Sequence, residues 1–364
     1  MRSIAKLMKD WQFTGPDGVT AAVALPHTWN AVDGQDGGND YWRGTCTYRT
    51  SFAAPAFDPA QQQVWLQFEG VNSSAAVLLN GQKICAHDGG YSTFRAEVTG
   101  LLQVENQLTV QVDNSVNDRV YPQKADFTFY GGIYRDVSLL VVNQNHIALG
   151  HFGDTGVKIT PDLKEGSADI QVETLVEGEG TVAVELLDAE GSTVAKGEGS
   201  KASLHLDAPH LWNGVKDPYL YTCIVCLMQD GKPVDEVTTK VGLRSFSVDA
   251  KKGFFLNGKP YPLHGVSRHQ DRKGLGNAIT REMHDEDMAL IRELGANTVR
   301  LAHYQHDQYF YDLCDKYGMV VWAEIPYISE HLPNGRENTI SQMKELIHQN
   351  YNHPSIVCWG VSNE

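Results

Sequence analysis

Between residues 62 and 113 apolar and polar positions alternate, as in VWLQFEGV, AAVLLNGQKICAHDG and QLTVQVDNS. A two-residue period puts the apolar side chains on one face of a strand, so these runs predict short, half-buried strands. The second run breaks at Asn80-Gly81, the pair that best tolerates positive φ in a two-residue hairpin. Many such strands without a helical period predict a jelly-roll β-sandwich over residues 1–145. The alternation continues at a different spacing in ADIQVETLV, TVAVELLDAEGSTVAKG, KASLHLDAP, YLYTCIVCLM and EVTTKVGLRSF. Roughly five to seven strands in about 100 residues fit an immunoglobulin-like β-sandwich over 146–244. No functional residue stands out there, and it reads as a spacer.

After residue 245 the period changes. YPLHGVSRH, NTVRLAHY, MVVWAEIP and SIVCWGVSNE read as strands, and the segments between them read as helices. REMHDEDMALIRELGA places Leu290, Ile291 and Leu294 on one helical stripe, with acids in its first turns, Arg292 near its end and Gly295 as a C-cap. DQYFYDLCDKYG ends at Gly318 in the same way. Alternating strands and helices predict parallel βα units. Each strand is apolar in its body and ends on polar groups: Arg268-His269, His303, Glu324, and Asn363-Glu364. In a (β/α)8 TIM barrel these ends converge on the mouth that carries the chemistry. Four units make the N-terminal half of such a barrel over 245–364, and the chain is expected to stop midway through it.

Composition adds exclusions. The 364 residues exceed one ordinary domain, and 41% hydrophobic with 21% charged content is that of a soluble globular chain. A net charge of −15 with no basic block argues against a nucleic-acid or anionic-membrane surface. No run approaches the roughly 20 apolar residues of a membrane span, and MRSIAKLMKDWQF lacks the apolar region of a secretory signal. Six scattered cysteines fit reduced thiols and a cytoplasmic location. Cys223 and Cys226, three apart on a predicted strand, point to opposite faces and do not make a metal or disulfide pair.

The strongest chemical signal is NHPSIVCWGVSNE. Glu364, partly desolvated beside Trp359 at a barrel mouth, would have a raised pKa and serve as a general acid. Asn363 offers an amide to a substrate hydroxyl. This stretch resembles the acid/base signature of glycoside hydrolase family 2, the group of β-galactosidases, β-glucuronidases and β-mannosidases. LPHTWN and FYGGIYRDVSLL resemble that family's sugar-binding jelly roll, and GVSRHQD, NTVRLAHY and VVWAEIP resemble its first three barrel strands. The order is kept over nearly the whole chain, and five-domain members of the family continue past this point.

The resemblance implies roles. Glu364 matches the acid/base glutamate, and Asn363 the asparagine that contacts the sugar 2-hydroxyl. His269 matches a histidine near the active site, His303 one that supports transition-state binding, and Arg300 an arginine near the nucleophile. Asp126 keeps the six-residue spacing to Gly132 of an aspartate that, in β-galactosidases, reaches the galactose and a sodium ion. The DGGNDYWRG loop around Asn39 and Asp40 is expected to border the pocket. Ile328 and Glu330 fall where magnesium ligands of the best-studied β-galactosidases would stand, so no Mg2+ site is assigned; Glu324 matches a strand carboxylate. His303 and His306 in HYQHD lack a third ligand at metal-binding spacing.

The expected reaction is hydrolysis of a terminal β-linked sugar with retention, with a β-galactoside as substrate and a β-glucuronide as the alternative. A carboxylate at Asp126 suits a neutral 6-hydroxyl better than an anionic sugar. A non-catalytic carbohydrate-binding protein built on the same jelly roll is the rival from another class. The resemblance puts the nucleophile on the seventh barrel strand, so a four-strand chain is expected to turn over little by itself, and its open sheet edges invite association, including a homo-oligomer.

Overall fold

The computed structural model describes residues 1–33 and 40–364. Its N-terminal part is a two-sheet sandwich. One sheet orders Ser3–Lys6, Val137–Asn143, Gln62–Phe68 and Phe94–Glu97; the facing six-stranded sheet is centred on Thr45–Ala53 and Glu105–Asp113. Trp11, Tyr48, Leu66, Val77 and Val110 fill the space between them and are fully buried. The predicted hairpin forms: Ser74–Leu79 pairs with Gln82–Asp88 across Asn80 (φ 51°) and Gly81 (φ 81°).

The LPHTWN and FYGGIYRDV segments are neighbours. His27–Thr28 pairs antiparallel with Gly132–Ile133, and a side chain at Gly131 would strike the Trp29 ring. Both glycines of FYGG are therefore packing requirements, Gly132 (φ 150°) lying against the His27 carbonyl.

The second part is a three-stranded sheet (Val157–Lys164, Ser167–Thr174, Lys201–Asp207) facing a four-stranded one (Thr193–Glu198, Thr181–Leu187, Tyr221–Gln229, Lys232–Val241). Cys223 is buried in its core while Cys226 lies on the other face, as strand alternation requires. A small antiparallel sheet, Phe246–Asp249, Gly253–Leu256 and Lys259–Pro260, follows and was not anticipated from the sequence.

The third part has four parallel strands in sequence order: Gly265–Arg268, Thr298–Leu301, Val320–Glu324 and Ile356–Gly360. Helices α1 (Arg281–Glu293), α2 (Gln308–Tyr317) and α3 (Arg336–Asn350) cover one face. Val299, Leu301, Val321 and Ala323 point toward that helical layer. The register aligns Ser267, Arg300, Trp322 and Cys358 in one row on the opposite, inner face. One expectation needs correction: Leu290 and Leu294 are exposed, and α1 instead buries His284, Met288 and Ile291. The buried set follows a three-to-four-residue period, and Leu290 and Leu294 lie on the flank beside it. Among the described residues no helix is long and apolar enough to cross a membrane.

Candidate active site at the barrel mouth

Glu324 is the centre of the inner face. It ends the third strand, is 2% exposed, and both its oxygens are taken. Arg300 Nη2 donates to Oε1 at 2.9 Å and Arg300 Nε to Oε2 at 3.2 Å. His303 Nδ1 lies 2.7 Å from Oε1. A nitrogen that close to a carboxylate donates its proton to it, so Nδ1–H is the His303 donor to Glu324. Burial alone would raise the Glu324 pKa, but the bonds from His303 and Arg300 prevail and hold it below the ordinary carboxylate value. The inner row explains a glycine as well: a side chain at Gly360 on the neighbouring strand would come within 2.7 Å of Glu324 Cβ and 2.6 Å of the Trp322 indole nitrogen.

Arg300 also reaches the fourth strand's tip. Its Nη2 donates to Asn363 Oδ1 at 2.7 Å, which orients the amide and turns its NH2 group away as a donor. Asn363 is held through its backbone: its N–H donates to the Tyr327 carbonyl at 2.9 Å, and its carbonyl accepts from Ser329 N–H at 3.2 Å. Arg300, His303, Glu324 and Asn363 therefore form one network across three strands.

His269 and Asp126 stand in an adjoining lobe. The His269 and His303 rings are 5.1 Å apart, and the jelly-roll residue Phe127 packs on both, at 5.1 and 5.8 Å. Burial, then the neighbouring His303, lowers the His269 pKa, so its ring is neutral near pH 7. Asp126, Phe127, Asp40, Tyr41, His269 and Asp271 border an open cavity of about 530 Å³. Jelly roll and barrel thus share its wall. Asn39 lies outside the described residues.

Glu364 departs from expectation. It is exposed, and its Oε2 accepts from Ser329 Oγ at 3.1 Å. Trp359 packs toward the helix-side core instead of against this carboxyl. The desolvation expected for Glu364 is not seen.

Metal fit is poor where the resemblance implied magnesium. Ile328 is buried and offers no oxygen from its side chain, and Glu330 is exposed. Around Asp126, Asp40 and Asp271 line the same cavity, but among the described residues the three carboxylates do not gather into a cation-holding group, and Asp271 already accepts from the Tyr130 hydroxyl.

Sequence reasoning missed the docking residues. Tyr304 stacks on jelly-roll Tyr91 at 4.4 Å, and Tyr130 donates its hydroxyl to Asp271 at 2.8 Å. The available signal was the aromatic run FTFYGG in a loop, which only a docked partner surface would bury. Beneath the mouth, Arg268 is buried against Asp287, His284 and His306, with its guanidinium 3.8 Å from the Phe310 ring centre.

Two sandwiches lead into parallel βα units, with polar groups gathered at the strand ends, and this defines a multidomain protein with a barrel-mouth site. Residues 248–364 match "Glycosyl hydrolases family 2, TIM barrel domain", residues 151–244 "Glycosyl hydrolases family 2", and residues 38–173 "Glycosyl hydrolase 2 galactose-binding domain-like". A β-glucuronidase of Bacteroides fragilis is 40% identical over 98% of this chain and 56% of its own length. A β-galactosidase of Thermoanaerobacter pseudethanolicus is 31% identical over 93% of this chain and 47% of its own. The crystal structure of an FMN-binding β-glucuronidase from Facaelibacterium prausnitzii superposes with a TM-score of 0.97 at 42% identity, covering all of this chain and 58% of that one. The chain belongs to glycoside hydrolase family 2. It spans about half the length of the curated relatives it matches.

Proposed function

We propose that this chain carries the acid/base half of a retaining β-glycosidase site whose substrate is a β-glucuronide. The observation that carries the reaction class is the network of Arg300, His303, Glu324 and Asn363, joined through the His303–His269 ring contact to a sugar-sized cavity that His269 lines. Asn363 NH2 donates to a sugar hydroxyl, and His303 Nε2 accepts from one. Glu364 protonates the glycosidic oxygen as the bond breaks, then takes a proton from the water that releases the sugar. Asp126 holds the sugar from the jelly roll and His269 from the first barrel strand's end.

Retention requires a second carboxylate about 5–5.5 Å from the first. Glu324 does not fill that role, because Arg300 and His303 occupy both its oxygens. On this reading the nucleophile is a carboxylate other than these strand-end groups, and without it turnover is slight.

The sugar assignment rests on the greater identity to relatives named β-glucuronidase. A second reading, β-galactoside, is favoured by the acidic lining of Asp40, Asp126 and Asp271, which suits a neutral sugar. The test is an assay with nitrophenyl β-glucuronide and nitrophenyl β-galactoside side by side, on a protein of the relatives' full length that contains this chain. Faster hydrolysis of the glucuronide is expected. Preference for the galactoside selects the second reading, and silence on both from a soluble protein removes the glycosidase assignment.

A further inference from the structure

A second cluster lies where the chain leaving the jelly roll meets the barrel. His151 and Asp154 share a tight loop, and His348 sits in the last turn of α3. Asp154 Oδ2 lies 2.8 Å from His151 Nδ1 and 3.7 Å from His348 Nδ1. The two imidazoles face each other at 90° with centres 4.5 Å apart. One donor atom from each residue falls within 4.8 Å of the others.

We propose that His151, Asp154 and His348 form a binding site for a transition-metal dication of the Zn2+ class. Tetrahedral zinc with bonds of 2.0–2.2 Å places its ligand atoms ~3.3 Å apart, and the two measured separations bracket that edge. Two imidazole nitrogens and one carboxylate oxygen select Zn2+, Co2+ or Ni2+ over Mg2+ and Ca2+, which prefer all-oxygen sites. The ion takes the place of the proton that His151 and Asp154 share, and water completes its coordination.

The frame is built before any ion arrives. Asp154 Oδ1 accepts from Gly156 N–H at 2.8 Å, which aims Oδ2 at the histidines, and the Asp154 carbonyl accepts from Arg95 at 2.7 Å. Gly153 (φ 71°) packs under the Thr93 carbonyl, where no side chain would fit. Gln349, beside His348 on α3, donates to the carbonyls of Phe152 at 2.7 Å and Thr93 at 2.9 Å. Loop and helix are thus fastened to each other independently of the three ligands. His151 also lines a cavity of about 420 Å³, which provides an entry path. Lys344 and Lys158 stand nearby and oppose a cation, which limits its affinity.

The site does not depend on the glycosidase reading. Its test is titration of the EDTA-treated 364-residue chain with Co2+ at neutral pH, followed by visible absorption and melting temperature. Expected are ligand-field bands at one ion per chain, a raised Tm, and displacement of the bands by Zn2+. His348→Ala and Asp154→Asn should each weaken binding by about 10–100-fold. Asp154→Asn keeps the Oδ1 bond to the Gly156 N–H and guards against a folding defect. No bands, or bands unchanged in both variants, would overturn the site; so would thiolate charge-transfer bands, which point to cysteine ligands.

Discussion

Glu324 shows how much one residue holds together. Replacing it with Gln leaves the Arg300 and His303 donors facing an uncharged amide. The Glu324 carboxylate is buried but Arg300 is about one-third exposed, so the loss is discounted to about 1–3 kcal/mol. Its pH signature has a definite sign. The folded pKa lies below the ordinary 4.5, so the stabilisation is fully present above about pH 4.5 and disappears as pH falls through the folded value. Urea unfolding of Glu324→Gln should therefore show lower stability than the parent at pH 7 and a shallower decline below pH 4.5. Parallel curves would show that the carboxylate's charge is not what matters. Much of this network was legible in the sequence: His303, Glu324 and Asn363 stand where apolar runs end, while Arg300, inside its strand, was pointed to by the family resemblance alone. The partnership was not: no spacing rule tells that Arg300 bridges to both Glu324 and Asn363, since that depends on register between strands. Phe127 was invisible for a related reason, its partners being 142 and 176 positions away on another domain.

Among the elements, the strand alternation and the helix caps were the readable part. Gly295 and Gly318 both stand in the left-handed conformation just past α1 and α2, as their place in the sequence predicts. Leu290 and Leu294 misled because apolar residues on a helix flank look the same in sequence as residues on its core face. Gly318 has a second role that the sequence hides. Its Cα lies against the backbone of Gly214, in the immunoglobulin-like part, so a methyl group there collides with main chain. Gly318→Ala should cost about 1–3 kcal/mol from the φ of 76° alone. The collision should also loosen the contact between the two domains, seen as faster amide exchange near Trp212, whose indole donates to the Asp315 carbonyl at 2.9 Å. Gly295→Ala, with open space around it, pays the conformational term only. Equal losses for the two substitutions would refute the close approach at Gly318.

For the whole molecule, order and architecture were legible because the periods change from two residues to three or four near residue 245. The mutual seating of the parts was not, since it is made by single contacts such as Tyr91 on Tyr304. The chain exposes Trp322 on the inner face, Leu290 on α1, Leu294 just past it, and the edge of the Ile356–Gly360 strand. Apolar surface and an unpaired edge favour association, while a net charge of −15 opposes it. Sedimentation velocity of the 364-residue chain should show oligomers that grow with concentration and with added salt. A single monomer boundary under all conditions would contradict this. The central claim, that Glu364 is the proton donor of a strand-end sugar site, is tested most directly by leaving-group dependence in the full-length protein. Glu364→Gln should lose about 10²–10⁴-fold in kcat/KM toward an alkyl β-glycoside, whose departure needs a proton, and far less toward a nitrophenyl one. Equal losses on the two substrates, or no loss on either, would contradict the assignment.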